Sequence, residues 1–288
     1  MKKESEYIAA IETPTFKLYG WIGILIMVIS EISLMKNNVF IKRWFTPIMW
    51  TGYILFLDAW IYRLRGTSLI QNRGSQFLFM LPYSVGCWLI FEAYNLHLQN
   101  WKYLGLPENL LVRYFAYAWS FAAIFPGVLL TSELIDISGI FNKFKVKVFV
   151  FRRTTLLVIM IAGVLLLIMP LLFTKEIAVF LFGPVWIGFV LLLDPINYFM
   201  DGKSLFKELQ NGRLSKLFSL FLAGLICGLL WEFWNYWASA KWVYIFPYLT
   251  TPKVFEMPLF GFLGFLPFAV EVYVMWEFAV RILKFKTE

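Results

Sequence analysis

The sequence predicts an all-α polytopic transmembrane bundle, built from two tandem copies of a four-helix unit. Three observations lead there. Hydrophobic residues make up 60% of the chain and charged residues 15%, with a mean hydropathy of +0.71. Polar side chains are then too few to cover a soluble core, so much of the exterior must face lipid. Apolar runs close to the roughly 20 residues needed to cross a ~30 Å hydrocarbon layer recur along the chain. A motif of large aromatics around a glutamate and an asparagine occurs twice.

Runs of suitable length place spans near 18–35, 45–62, 76–96, 114–135, 154–173, 177–199, 216–238 and 258–281. The first begins late and is long for a cleaved signal, so it is expected to be retained. Only Thr174-Lys175-Glu176 separates the fifth from the sixth, which leaves open one long re-entrant or tilted element. Eight crossings put both termini on one side. Lysine and arginine number 18 over the termini and even-numbered loops, against 8 over the odd-numbered loops. The positive-inside rule then predicts cytoplasmic termini and a multi-pass protein of the inner (plasma) membrane.

The repeated motif reads Cys87-Trp-Leu-Ile-Phe-Glu92-Ala-Tyr-Asn95, followed by Trp101-Lys-Tyr103, and again Cys227-Gly-Leu-Leu-Trp-Glu232-Phe-Trp-Asn235, followed by Lys241-Trp242-Val-Tyr244. Both cysteines of the chain stand five residues before the matching glutamate. Phe45-Thr-Pro47, Asp58 and Gly66-Thr-Ser68 likewise match Phe182-Gly-Pro184, Asp194 and Gly202-Lys-Ser204. The offset grows from 136 residues at the aspartates to 141 between Pro126 and Pro267. Such a period predicts two repeats, 1–141 and 142–288, forming one membrane domain. Four spans per repeat insert both copies the same way round, so the pseudo-two-fold axis is expected along the membrane normal.

Composition also excludes several classes. The net charge of +8 is spread over short loops, which suits anionic lipid headgroups and gives no nucleic-acid surface. Two cysteines and one histidine, His97, supply neither a disulfide framework nor a metal cluster. No nucleotide loop, nucleophile–base pair or cofactor motif is present, so no cofactor is expected. The expected partners are membrane lipids and a hydrophobic small molecule, with self-association left open.

Helical rise sorts the polar residues into two depths. Glu92, Asn95, Glu232 and Asn235 fall toward the outer end of their spans. Asp58, Asp194 and Glu133, with Glu271 and Glu277, fall toward the cytoplasmic half. Intramembrane carboxylates are costly and usually line an interior or a pathway. Glu92, Glu232, Asp58 and Asp194 are therefore the candidate catalytic groups. Asn95, Asn235, Trp101, Tyr103, Trp231, Trp234, Trp242, Tyr244 and Glu256 are the candidate substrate-binding groups. Each has a plainer reading. Glutamate and asparagine near a span end reach interfacial water inside an aromatic belt, the aspartates pair with Arg63, Arg65 or Lys203, and Ser68 and Ser204 cap short helices. Pro126 and Pro267 are expected to kink the fourth and eighth spans.

A glutamate beside tryptophan within a span, Trp231-Glu232, and the nearby Glu256-Met257-Pro258 resemble integral-membrane terpene and lycopene cyclases. The resemblance covers only those short pieces, and the Pro-x-Glu-Glu element of lycopene cyclases is absent. It implies acid–base cyclisation or isomerisation of an isoprenoid by intramembrane carboxylates, without redox change. Over its longer course the chain resembles duplicated bacterial polytopic membrane proteins, which implies no activity. The functional expectation is binding or modification of a hydrophobic lipid or isoprenoid in an aromatic-lined pocket. A transporter or channel, and a structural membrane subunit held by Gly224, Gly228, Gly261 and Gly264, are the alternatives.

Overall fold

The computed structural model of the protein describes residues 14–247 and 251–285, most of them helical. Lys2, Lys3 and Lys286, which contribute to the charge asymmetry, lie outside the described residues. In chain order the elements are α1 (Leu18–Met35), α2 (Val39–Arg65), α3 (Leu69–Asn72), α4 (Gly74–Leu98), β1 (Trp101–Leu104), α5 (Leu110–Ala122) and α6 (Ile124–Ser138). They continue as α7 (Arg153–Leu172), α8 (Lys175–Ala178), α9 (Phe182–Phe199), α10 (Leu205–Gln210), α11 (Ser215–Trp237) and β2 (Lys241–Tyr244). A short hairpin of β3 (Lys253–Val254) and β4 (Met257–Pro258), a 3-10 helix at Leu259–Gly264 and α12 (Phe265–Ile282) complete the chain.

Seven helical segments are long and apolar enough to cross a membrane: α1, α4, α5–α6 together, α7, α9, α11, and the 3-10 helix with α12. The fifth and sixth expected spans are thus two helices, α7 and α9, joined through the single turn of α8. Large aliphatic side chains stand exposed along α1 (Leu25, Val28, Ile29, Ile32) and α7 (Val158, Ile161, Leu165, Ile168). A surface of that kind suits lipid, and these features fit an integral membrane protein.

The second expected span behaves differently. α2 has 27 residues, roughly 40 Å of helix at 1.5 Å per residue, but it is less apolar than the seven. Its first turns carry Lys42 and Arg43, its last carry Arg63 and Arg65, and Asp58 sits between. Much of its length is internal, with Phe45, Met49, Trp50, Ile54, Leu57 and Ile61 all buried. A helix screened from lipid by its neighbours needs no continuous apolar coat.

Close crossings set the helix pairs. α1 meets α2 at Gly23 and Gly52, where a Cβ on Gly52 would lie 2.7 Å from the Gly23 carbonyl oxygen. α7 meets α9 at Gly163 and Gly188, where a Cβ on Gly163 would lie 2.9 Å from the Gly188 oxygen. Small residues let the backbones touch and so maximise dispersion contact where lipid removes the hydrophobic drive. Gly224 and Gly228 give α11 a comparable approach to Phe265 at the start of α12.

The two expected prolines act at helix starts. The fourth span breaks at Ala123, and Pro126 lies in the first turn of α6. The eighth begins as the 3-10 helix, and Pro267 lies in the first turn of α12. Proline fits there because first-turn N–H groups have no intrahelical acceptor. The break therefore falls just before each proline rather than at it.

Connections sort into two ends of the bundle. At one end the Ser239 N–H donates to the Lys42 carbonyl at 2.8 Å, Ile245 N–H to Asn100 O at 2.9 Å, and Asn100 Nδ2 to Val179 O at 2.9 Å. At the other, Arg65 and Arg73 pair with Glu133 at 2.6 and 3.3 Å, and Lys216 pairs with Asp136 at 2.7 Å. There the extended segment after α6 hydrogen-bonds the α10–α11 turn, Val146 N–H to Gly212 O at 3.0 Å.

The glycine crossings carry a test. Gly52→Val drives a side chain into the Gly23 backbone and is expected to destabilise the purified protein by about 1–3 kcal/mol. Gly86→Ala, where a Cβ meets nothing within 4 Å, should leave the unfolding midpoint in detergent unchanged or raise it slightly.

Candidate functional site

The site grows from two acceptors, the half-buried Glu92 and the buried Glu232. Glu92 stands near the end of α4, and its Oε1 accepts from Trp88 Nε1 at 3.0 Å, Trp101 Nε1 at 3.0 Å and the Tyr103 hydroxyl at 2.5 Å. Glu232, fully buried near the end of α11, accepts at Oε1 from the Tyr244 hydroxyl at 2.7 Å and from Trp242 Nε1 at 3.4 Å. Each glutamate thus takes donors from the strand that follows its own helix. Hydrogen bonds to a charged acceptor are worth about 1.5–3 kcal/mol each, and an unmet buried carboxylate costs more.

The asparagines fix those strands. Asn95 Oδ1 accepts from Asn100 N–H at 2.8 Å and Trp101 N–H at 3.3 Å, while its Nδ2 donates to Trp101 O at 2.9 Å. Asn235 Oδ1 accepts from Trp242 N–H at 3.0 Å, and its Nδ2 donates to Trp242 O at 2.9 Å. An amide side chain imitates one rung of a β-ladder, so each helix end docks its strand as a neighbouring strand would.

β1 and β2 pair antiparallel, Trp101 opposite Tyr244 and Tyr103 opposite Trp242. Alternate residues share a face, so these four rings stand on one side of the ribbon, toward the glutamates. Gly105, at φ 64°, turns the chain off β1 where a side chain would strike the Ser239 carbonyl. Burial first, and then the adjoining carboxylates, hold Tyr103 and Tyr244 well above the ordinary tyrosine pKa. Both remain neutral donors across the physiological range.

Beneath the ribbon lies a cavity of about 350 Å³, within the size range of small-molecule sites. Trp88, Trp101, Tyr103, Trp231, Trp242 and Tyr244 wall one side. Trp44, Trp50, Phe182, Trp186, Phe265 and Phe268 wall much of the rest, with Arg43, Thr46 and Lys241 among the polar lining. The indoles are contiguous: Trp50 to Trp231 is 5.5 Å between centroids, Trp231 to Trp88 6.0 Å, and Trp231 to Trp242 5.7 Å. Rings this close make a continuous wall with no gap to enclose a separate group. Among the described residues the lining holds no carboxylate.

Several expected site residues therefore meet, and several do not. Trp101, Tyr103, Trp231, Trp242 and Tyr244 line the cavity, and Glu92 and Glu232 stand behind the rings. Asn95 and Asn235 hold backbone. Trp234 is core, packed edge-on against Trp50 at 5.1 Å. Glu256 lies in the β3–β4 turn and pairs with Lys241 at 2.5 Å.

Asp58 and Asp194 belong to the opposite end. Asp58 accepts from Tyr19 OH at 2.7 Å, Ser68 Oγ at 2.8 Å and Ile70 N–H at 2.8 Å. Asp194 accepts from Ser204 Oγ at 2.9 Å, Leu205 N–H at 2.9 Å and Phe206 N–H at 2.8 Å. Each fastens the start of a short helix, α3 or α10, whose N-cap serine in turn accepts from Gln71 or Lys207. In place of the expected pairing with Arg63, Arg65 or Lys203, these aspartates meet neutral donors, from the following turn and, at Asp58, also from Tyr19 of α1.

Trp44, Trp50, Phe182 and Trp186 were not among the expected site residues. A signal for them existed: Trp50 and Trp186 each follow the repeated Phe-x-Pro element at Phe45 and Phe182. Comparison with known protein families, curated proteins and solved structures gives no match for this chain. Its chemistry must be read from the site alone.

Two substitutions separate fastening from binding. Asp194→Ala strands three donors and is expected to lower stability by about 2–4 kcal/mol, seen as a lower unfolding midpoint. Asn235→Leu should instead free β2 locally, raising hydrogen exchange at the Trp242 amide at least tenfold with helix content unchanged.

Proposed function

We propose that the chain is an eight-crossing protein of the inner (plasma) membrane that binds a hydrophobic lipid or isoprenoid in the aromatic cavity. In this reading α2 supplies the eighth crossing. The crossings form two four-span repeats, 1–141 and 142–288, and both termini are cytoplasmic. The observation that carries it is the β1–β2 register. Trp101 faces Tyr244 while Tyr103 faces Trp242, the exchange expected when two copies of one strand meet across a two-fold axis. Matching partners of Glu92 and Glu232, of Asn95 and Asn235, and of Asp58 and Asp194 support the same duplication. The glycine crossings Gly23–Gly52 and Gly163–Gly188 do so as well. The cavity then lies at the seam between repeats, where neither copy alone would close it.

The chemistry proposed for the site is acid–base and runs through the phenols. Tyr103 and Tyr244 line the cavity and each hydrogen-bonds a glutamate behind it. In this reading the phenol relays the proton of the carboxyl behind it to a bound double bond, and the cation, once cyclised or isomerised, returns a proton to that carboxylate through the same phenol. The Oε2 atom of Glu232, buried and without a partner, suits a carboxyl that carries a proton for part of the cycle. Protonation followed by cyclisation or isomerisation of an isoprenoid is the reaction class that fits, and it needs no cofactor.

Three measurements test this reading. Lipid extracts of the purified full chain should contain an isoprenoid or other non-bulk lipid at near-stoichiometric level, falling at least tenfold in Trp231→Ala. Bulk phospholipid alone, equal in both proteins, would overturn the binding reading. Turnover of the identified lipid should fall at least 100-fold in Glu232→Gln and in Tyr244→Phe with binding retained, and unchanged turnover removes the acid–base step. Single cysteines placed at Lys145 and Ser239 in a cysteine-free background should label from the cytoplasmic and outer sides respectively.

A further inference from the structure

The cavity contains two donors that nothing among the described residues satisfies. Trp50 Nε1 and Thr46 Oγ1 are buried and lack any hydrogen-bond partner, and both residues line the cavity. Trp50 is 2% exposed and Thr46 6%, so bulk water does not serve them. Their neighbours show that α2 satisfies such groups where it needs to. Thr51 Oγ1 donates to the Pro47 carbonyl at 2.8 Å, and Trp119 Nε1 donates to Thr51 Oγ1 at 2.9 Å. An indole N–H can only donate, and leaving it unmet costs about 1–3 kcal/mol.

Arg43, Thr46 and Trp50 fall three and seven positions apart along α2, which puts them on one helix face. All three line the cavity. The stripe descends roughly 10 Å from Arg43 to Trp50 at the helical rise. Arg43 has no ion pair or hydrogen bond among the described residues. Lys241, the other cation in the lining, is neutralised by Glu256. One side of an otherwise aromatic cavity thus presents an unpaired guanidinium, a hydroxyl and an N–H in a row. No carboxylate faces them.

We propose that the ligand of this cavity is an amphipathic lipid whose head group is anionic and rich in acceptor oxygens. An oxygen of the head takes the Trp50 N–H and the Thr46 hydroxyl, Arg43 balances its charge toward the mouth, and the apolar chain lies along the indole wall. The proposal rests on the cavity being a lipid site and adds the chemistry of the head. An uncharged alcohol of the same chain would satisfy Trp50 but leave Arg43 unused. A purely hydrocarbon ligand would leave all three unmet.

Farnesyl phosphate, farnesol and inorganic phosphate distinguish the cases, each titrated by calorimetry into the full chain in detergent. Farnesyl phosphate should bind at least tenfold more tightly than farnesol. Trp50→Phe and Thr46→Val, which keep ring and volume, should each weaken farnesyl phosphate several-fold. Arg43→Gln should do the same, with the loss diminishing at high salt. Equal affinity for farnesyl phosphate and farnesol overturns the head-group proposal while the hydrophobic cavity stands. Inorganic phosphate binding as tightly as farnesyl phosphate also overturns it, because the site then recognises free anion. Binding of none of the three defeats the lipid cavity itself.

Discussion

Glu92 and Glu232 draw donors to themselves, and meeting that need shapes the end of the bundle that carries the β1–β2 ribbon. The backbone N–H groups beside Glu92 and Glu232 are already bonded within their helices, and from the same helix only the Trp88 indole donates to Glu92. Each helix instead ends and its chain returns as a short strand that brings a tryptophan N–H and a tyrosine O–H back to the carboxylate. The asparagine three residues on locks that return by bonding the strand backbone. Four residues are too few for a stable strand in isolation, so β1 and β2 persist by pairing with each other and by this fastening to helix ends. The aromatic wall of the cavity is the back of the same device.

The opposite end obeys the same rule with different parts. Asp58 and Asp194 accept from the turn that follows their helix, and Ser68 and Ser204 close the local network. Around them the full charges sit on exposed or half-buried positions, Arg65, Arg73 and Lys216 meeting Glu133 and Asp136. Exposed pairs of that kind contribute little singly. Together they join α2, α4, α6 and α11 at one level, where long flexible cations reach across helices. The end with the ribbon thus carries the cavity, and the end with the arginine and lysine pairs to α6 ties the bundle.

Span positions were legible because apolar length is a property of contiguous sequence. Seven of the eight expected runs lie in helices apolar enough to cross, and the departure, at α2, follows from burial that no single run reveals. The repeated Glu–Asn motif pointed to one end of the bundle and to five of the rings that line the cavity. It could not show which way a carboxylate faces. From sequence, a glutamate among tryptophans reads as a group in a pocket. In three dimensions the indole N–H groups turn to the glutamate, which leaves it behind the wall. The aspartates mislead for a related reason: their partners are hydroxyls and backbone N–H groups, invisible to a search for cations. The Phe-x-Pro repeat marks Trp50 and Trp186 as matching positions, but only helix packing brings α2 and α9 to the same hollow.

The lining also bears on what a duplicated scaffold can do. In the two-repeat reading Thr46 matches Gly183 and Arg43 falls where the second copy has Phe180. Glu256, which neutralises Lys241, has no counterpart in the first copy. The elements that build the hollow are therefore paired, while the groups that give it polarity are not. A symmetric cavity would accept an elongated ligand in two equivalent orientations. In the proposed lipid site, one stripe of donors on α2, facing apolar rings from α9 and α12, would remove that degeneracy and fix which end of the ligand lies beside Tyr103 and which beside Tyr244. Acid–base chemistry at one defined carbon requires such an asymmetry, since two tyrosines at equal depth would otherwise address the ligand alike.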